Sequence, residues 1–194
     1  ITTRLVGSEM CIRDRVMNKT IQVQHYHSPC GDLILGSYGN ELCLCNWVIE
    51  KHQGRVDKRL QSLLNADYAI HASEITQEAA RQLDEYFGRK RTTFDIPLLF
   101  AGTDFQKNVW RTLLEIPYGQ TLSYGEMARR LGLPNSVRAV ANANGANAIS
   151  IFAPCHRVIG SNRSLTGYGG GIEAKKFLLE LEQERTLGVF PCFL

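Results

Sequence analysis

The sequence predicts an α/β (α+β) chain in which a small N-terminal sheet-plus-helix domain is followed by a mainly helical C-terminal domain with a helix-turn-helix. Three observations carry that prediction. Apolar residues alternate with period two between Ile21 and Val48, they recur at helical spacing from Arg55 onward, and two capping boxes precede helical runs after Gly102. The 194 residues are 44% hydrophobic, which is ordinary for a globular protein and excludes collagen, coiled coil and disorder.

Residues 1–16 are expected to be a non-native leader. Glu9-Met10-Cys11-Ile12-Arg13-Asp14 reads like a translated transposon end from a sequencing library, and Met17-Asn18-Lys19 reads as a natural start. Ile21 to His27 alternates, Ser28-Pro29-Cys30-Gly31 has turn chemistry, and Asp32 to Tyr38 and Glu41 to Val48 read as two more strands around Gly39-Asn40. Arg55 to Leu64 and Thr76 to Phe87 read as helices, the second with Leu83, Tyr86 and Phe87 on one face and Gly88 as C-cap. Arg89 to Thr93 is polar and basic. The boundary is expected near Pro97 to Gly102, giving an N-terminal domain over 17–97, a second over 98–185 and a tail over 186–194.

The second domain opens with the capping box Thr103-Asp104-Phe105-Gln106, whose helix has Phe105, Val109 and Leu113 at i, i+4 and i+8 and ends at Pro117-Tyr118-Gly119. Ser123-Tyr124-Gly125-Glu126 is a second box, leading a short helix through Met127, Ala128 and Leu131. Gly132-Leu133-Pro134 makes a turn, and Asn135 or Ser136 is expected to cap a third helix through Val137, Arg138, Ala139, Val140 and Ala141. Two short helices about a glycine turn form a helix-turn-helix arrangement, although any compact helix pair reads alike. Ala139, Ala141 and Ala143 leave little bulk around Arg138, which suits a backbone approaching a groove and a guanidinium entering a base stack.

The net charge is +3, and its excess falls in 102–194. No acidic residue stands between Glu126 and Glu173, a span that holds Arg129, Arg130, Arg138, Arg157 and Arg163. A surface facing a polyanion needs such clearing, and chance depletion in a Gly/Ala/Asn-rich stretch gives the same pattern. No apolar run approaches the roughly 20 residues of a membrane span and no secretory signal pattern is present, so a cytoplasmic protein without membrane association is expected. In that compartment six cysteines argue for free thiols, a metal site or catalysis. His25, His27, Cys30, Cys43, Cys45 and His52 are zinc-ligand types, yet their spacing matches no standard finger, and no metal is expected. Cys192 falls in the tail.

Ile149 to Gly160 holds the chemistry. The apolar run before Pro154 reads as a buried strand or strand-like loop that holds Cys155, and on a strand His156 would point away from Cys155 and act through water. His156 and Arg157 beside the thiol are expected to depress its pKa and make the thiolate available as a nucleophile. A buried core thiol is the competing reading at this point.

Pro154-Cys155-His156-Arg157-Val158 resembles the active-site signature of the O6-alkylguanine-DNA alkyltransferases, also called methylated-DNA-protein-cysteine methyltransferases. The resemblance extends upstream through Gly102-Thr103, Phe105-Gln106, Val109-Trp110, Ile116-Pro117, Gly119, Thr121, Ser123-Tyr124, Ala128, Arg138-Ala139-Val140 and Asn147. Downstream it runs through Gly167-Tyr168, Gly170-Gly171 and Leu178-Leu179. With the Ser28-Pro29, Gly31, Leu33 turn it covers Met17 to about Glu182, and the type resembled is the stand-alone bacterial one.

The resemblance implies DNA repair by direct, single-turnover transfer of an alkyl group from O6-alkylguanine, and from O4-alkylthymine, to Cys155. His156 takes the thiol proton through a water and Glu182 orients that histidine. Tyr124 donates to the base and presses on the target phosphate. Arg138 fills the gap left by the flipped nucleotide, Asn147 braces the cysteine loop, and Ser123, Tyr124 and Ala139 join them at the DNA. The pocket for the base is expected from Pro154, Val158, Tyr168, Gly169 and Gly170. The partner implied is double-stranded DNA containing O6-alkylguanine, entered from the minor groove by a monomer, with no cofactor.

Three positions depart from the family pattern: Ala141 stands where glycine is common, Ala148 where proline is usual, and Phe152-Ala153 where an aliphatic pair is usual. None removes a catalytic group. Two other classes bear on the same residues. A non-catalytic DNA-binding sensor or regulator would bind without being modified, and Cys155 discriminates against it because the sensors replace the cysteine. A thiol peptidase needs a spatially separate histidine and an oxyanion hole that nothing here signals.

Overall fold

Period-two alternation folds as expected into a meander. The computed structural model describes residues 20–48 and 54–186; residues 1–16, His52 and Cys192 lie outside them. Strands β1 (Thr20–Ser28), β2 (Gly31–Tyr38) and β3 (Glu41–Trp47) are antiparallel neighbours, with Val23 opposite Gly36 and Leu35 opposite Cys45. After α1 (Arg55–Leu64), whose Asn65 C-cap takes the left-handed conformation that asparagine tolerates, β4 (Asp67–Ile70) runs parallel to β1. The sheet order is therefore β3-β2-β1-β4. Sequence periodicity misses β4 because four residues are too few to establish a period.

The next helix, α2 (Glu74–Phe87), begins two residues before Thr76. Ser73 is its cap: the Ser73 hydroxyl accepts from Thr76 N–H, and the Thr76 hydroxyl accepts from Ser73 N–H. A threonine in the place of the usual Glu or Gln hides that box from a motif search. The helix lies on the sheet face to which Gln24 and Tyr26 point, where Gln24 bonds Thr76 and the Tyr26 hydroxyl donates to Asp84 at 2.8 Å. Ile21 and Val23, of opposite parity, pack on the other side. Gly88 is the C-cap, but the left-handed turn is taken by Arg89 (φ 59°).

Both capping boxes of the helical part form as read, at Thr103/Gln106 ahead of α3 (Asp104–Leu114) and at Ser123/Glu126 ahead of α4 (Tyr124–Arg130). Gly132 turns the chain at φ 72° into α5 (Val137–Gly145). Ser136 stands at its N-cap without a side-chain bond, a correction to the expected cap. Its ψ of 27° is far from the extended ψ near 150–160° that lets Thr103 and Ser123 reach back to the helix. Val109, Trp110, Leu113, Met127, Ala128, Val140 and Ala143 form the core between these helices. Ala143 therefore faces inward, its carbonyl accepting from Trp110 Nε1 at 2.8 Å, and it is not part of the small exposed face around Arg138.

Of the strand or strand-like loop expected around Cys155, the structure shows a buried loop of turns and no strand. Pairing is confined to an isolated bridge between Ile149 and Cys45 and to β6 (Val158–Ile159), parallel to β5 (Leu122–Ser123). Between them the backbone satisfies itself locally: Ala153 N–H donates to Ile149, Cys155 N–H to Ala153 and Arg157 N–H to Pro154, and Cys155–Arg157 is a 3₁₀ turn. Pro154, which has no N–H, fits a turn better than a ladder. Ile151 holds φ 71°, a conformation that β-branched residues strongly resist, so its surroundings impose it.

That imposition comes from the other domain. Cys45 on the outer edge of β3 donates to Ala148 O at 2.8 Å and accepts from Ser150 N–H at 2.7 Å. Ala148, Ile149, Ile151 and Phe152 thereby join the core under the sheet, together with Ala174, Leu178 and Leu181 of α6 (Gly171–Thr186). Among the described residues no helix is long and apolar enough to cross a membrane.

Candidate active site

Glu182, fully buried on α6, is the hub of the site. His156 Nε2 lies 2.9 Å from Oε1, Arg157 donates to both carboxylate oxygens at 2.9 Å, the Tyr86 hydroxyl donates at 2.8 Å and Gly119 N–H at 3.1 Å. Burial alone would raise this carboxyl, but the bonds and charges of His156 and Arg157 outweigh it and hold it well below the usual carboxylate range. The acid is therefore ionised, and a carboxylate accepts only, so the proton of the imidazole sits on Nε2. Burial, opposed by Glu182, lowers the His156 pKa, and the ring is neutral at pH 7. Its Nδ1 is a bare acceptor, buried and without a partner.

Cys155 opens the 3₁₀ turn and is 6% exposed. Burial pushes its thiol up, against which the Asn147 and Ser150 side chains and the charge of Lys175 pull down. The expectation that His156 and Arg157 depress the thiol pKa fails, because burial outweighs every neighbour that pulls it down and neither of these two is among them. The Arg157 guanidinium is turned to Glu182 and, through Nη1, to Ile116 O at 2.6 Å, and it lies over the Tyr118 ring. The cation that acts on Cys155 is Lys175 of α6, which no motif in the sequence singles out.

Lys175 is 0% exposed, and its Nζ donates to Val158 O at 2.6 Å and Thr166 O at 2.9 Å. Burial, opposed by the Cys155 charge, brings its pKa down to about 8. A signal for it existed. Lys175, Leu178, Leu179 and Glu182 recur at i, i+3, i+4 and i+7, so a lysine and a glutamate occupy core positions of one helix face.

Asn147 braces the loop as expected: Nδ2 donates to Ala153 O at 2.8 Å and Ile149 O at 3.3 Å, and Oδ1 accepts from Ile149 N–H at 3.0 Å. The Tyr124 hydroxyl is 3.5 Å from Thr166 O, and burial raises its pKa. Ser123 Oγ is engaged as the α4 cap and with Glu126 at 2.6 Å. Arg138 and Ala139 are exposed on α5, beside the exposed apolar side chains of Leu133 and Val137.

Of the expected pocket residues, Tyr168 and Gly169 line a void of about 10 Å³ beside Cys155, with Asn46, Asn144, Asn147, Ser150 and Gly167. Its size suits one water. Gly170 sits behind this roof, against Trp47, and Val158 lies under it in the helical core. Pro154 does not face the void and lines a separate groove of about 760 Å³ with Phe94, Phe100, Leu114 and Phe152.

His156 Nδ1 is buried without a hydrogen-bond partner. Asn144 and Tyr168 line the void, where the Asn144 side chain acts on the Tyr124 hydroxyl and the Trp47 indole on the Tyr168 hydroxyl. Tyr168 meets both His156 (6.4 Å) and Trp47 (5.8 Å) edge-on. Buried polar atoms are normally satisfied, so the bare Nδ1 marks a group kept open for chemistry.

The described zinc-type residues do not converge. His25 and His27 are exposed, His27 bonding Asp32 at 2.7 Å, and the Cys43 thiol donates to Gly36 O. Among the described residues no group of three or more His, Cys, Asp or Glu is placed to hold a metal.

Comparison with known proteins bears on most of the chain, residues 21–184. Residues 21–100 match the 6-O-methylguanine DNA methyltransferase ribonuclease-like domain, and residues 104–184 match the DNA-binding domain of the same family. The chain is 46% identical over 156 residues to the methylated-DNA–protein-cysteine methyltransferase of Methanosarcina barkeri, covering 80% of this chain and 93% of that one. It is 43% identical over 173 residues to that of Mycobacterium leprae, covering 89% and 99%. The crystal structure of Mycobacterium tuberculosis OGT in complex with DNA superposes with a TM-score of 0.72 at 42% identity, covering 84% of this chain and 94% of that one.

Proposed function

We infer the chemistry of the site from the premise that the chain belongs to the 6-O-methylguanine DNA methyltransferase family: it binds DNA and repairs it by moving an alkyl group onto one of its own cysteines. The acceptor is Cys155. His156 Nδ1 takes the thiol proton, directly or through one water, while Nε2–H stays on Glu182 and the carboxylate stabilises the imidazolium as it forms. The thiolate attacks the alkyl carbon in line with the C–O6 bond of a guanine. The S–C bond forms, the C–O6 bond breaks, and the electron pair leaves on the base, where Tyr124 donates a hydrogen bond. A proton from the relay ends on the guanine ring, and Cys155 remains an S-alkylcysteine, so each molecule reacts once.

The single observation that carries this reading is the bare Nδ1 of a neutral His156, the residue that follows Cys155 in the 3₁₀ turn, its tautomer set by an ionised Glu182. Lys175 assists by lowering the energy of the thiolate. The substrate is O6-alkylguanine in double-stranded DNA, and O4-alkylthymine offers the same alkyl–oxygen bond. A base inside the duplex hides that bond, so the nucleotide is extruded at a cost of a few kcal/mol. Arg138 enters the gap from the minor groove, with the small Ala139 letting the helix approach. A void of about 10 Å³ does not hold a guanine, so the roof at Gly167-Tyr168-Gly169 withdraws on binding. Gly167 (φ 50°) and Gly171 (φ 84°) give that segment its backbone freedom. The protein acts as a monomer, in the cytoplasm.

The test is a titration of a duplex carrying O6-methylguanine with increasing protein. Lesions should disappear one for one with protein added, and His156→Ala should slow the loss by about 10²-fold or more. Loss that continues beyond one lesion per protein molecule would show turnover and refute the acceptor mechanism.

A further inference from the structure

Trp47 ends β3 in the sheet domain, yet its indole reaches the roof of the Cys155 void. It is 5% exposed and packed between two glycines. A Cβ on Gly31, which opens β2, would lie 3.2 Å from Cζ3, and a Cβ on Gly170 would lie 2.4 Å from Cδ2. The first is a tight fit and the second an impossible one, so the indole lies flat on the Gly170 backbone. Tyr168, which lines the void, meets the same indole edge-on at 5.8 Å, and Asn46, the neighbour of Trp47, lines the void directly. The roof over Cys155 is thus backed by a large aromatic side chain from the sheet domain.

That backing has a consequence for substrate choice. The void of about 10 Å³ admits a base and its O6 substituent only if the 167–170 segment withdraws, and the segment's own backing limits how far it goes. A methyl group asks little extra room; an aromatic substituent asks for much more. Interiors are close-packed and give way in discrete steps, so a large flat side chain behind the roof acts as a stop. We propose that Trp47 is a specificity-determining residue that sets the largest O6 substituent Cys155 accepts, acting through Gly170 and Tyr168. This rests on Cys155 being the alkyl acceptor.

The experiment compares single-turnover transfer from duplexes carrying O6-methylguanine and O6-benzylguanine for the wild type, Trp47→Leu, Trp47→Phe, Gly170→Ala and the Trp47→Leu/Gly170→Ala pair. Trp47→Leu should raise the benzyl-to-methyl rate ratio by about tenfold, the scale on which hydrophobic pockets discriminate added bulk. Trp47→Phe, which keeps an aromatic wall and the fold, should fall between. Gly170→Ala should lower the ratio in the wild-type background and much less in the Trp47→Leu background, because the indole atoms it collides with are gone there. A loss of stability alone slows both substrates together and leaves the ratio unmoved. An active wild type whose ratio does not change in Trp47→Leu and Trp47→Phe overturns the proposal alone. A wild type that moves neither group onto Cys155 overturns the acceptor assignment and the proposal with it.

Discussion

The guanidinium of Arg157 grips the carboxylate of Glu182 through both Nε and Nη2 at 2.9 Å, and this pairing decides the state of the neighbouring His156. Because Arg157 neutralises Glu182, the histidine need not carry charge at rest, and the same carboxylate still fixes its Nε2–H. The arginine of the Cys-His-Arg triplet thus serves the base and not the thiol.

Glu182→Gln tests that pairing. It leaves a buried guanidinium without its counter-charge, and removal of one member of a buried pair costs roughly 3 to 5 kcal/mol. Urea unfolding is the measurement. The carboxyl is depressed in the folded state, so its contribution is present above the ordinary carboxylate pKa, about 4.3, and is lost as pH falls further through the folded value. Wild-type stability should therefore drop below about pH 4 more steeply than that of the variant.

Lys175→Met removes a charge that pulls the thiol pKa down and the donor to Val158 and Thr166. Transfer at pH 7 should slow by about tenfold or more, the loss expected when a nucleophile's activation falls by one pKa unit. The deficit should narrow above about pH 8, where the wild-type lysine itself loses its proton. The direction with pH is the same as for Glu182, stability rising through the window between the folded and unfolded values. A lysine depressed below its unfolded value of about 10.4 penalises the fold at low pH, and the penalty is relieved as pH rises from about 8 to 10.4. Stability of the wild type, but not of Lys175→Met, should gain over that window.

Asn147→Ala deletes three bonds that brace the cysteine loop. Ile149 O keeps the bond from Ala153 N–H and Ala153 O that from Cys155 N–H, but Ile149 N–H and Ala153 O lose their Asn147 partner; a buried group left unpaired costs about 1 to 3 kcal/mol, so calorimetry should show a clearly lowered melting temperature together with slower transfer. Ala148→Pro, by contrast, retains the carbonyl that accepts from Cys45, and activity should survive.

Arg138→Ala separates recognition from chemistry. The side chain is exposed, so stability should shift by no more than about 0.5 kcal/mol. Transfer from duplex DNA should fall by roughly tenfold or more, reflecting the few kcal/mol of unstacking it offsets, while transfer from a free O6-alkylguanine base should be unchanged. Equal losses on both substrates would remove Arg138 from the DNA-reading role.

The parts of this molecule legible in its sequence are those governed by local rules. Alternation locates β1 to β3, helical spacing gives α1 with its ends, and Thr103/Gln106 and Ser123/Glu126 mark two helix starts to the residue. What escapes depends on contacts distant in sequence. The four residues of β4 are a strand because β1 lies beside them, and the cysteine loop is a turn because Cys45 holds both Ala148 and Ser150. Lys175 is singled out by no motif and Trp47 reads as a strand end, until the fold brings the charge of one to act on Cys155 and the indole of the other behind its roof. His156, Glu182 and Asn147 are found by family resemblance, and their geometry supports the roles it implies.

Peptide mass spectrometry after incubation with a duplex carrying O6-methylguanine addresses the acceptor assignment most directly, because Cys155 has a second buried thiol, Cys45, in its neighbourhood. One methyl group should appear on the peptide containing Cys155, in stoichiometric yield, and none in Cys155→Ala. Methyl on Cys45 or on any other residue, or an unmodified protein that still holds the lesion duplex, would contradict it.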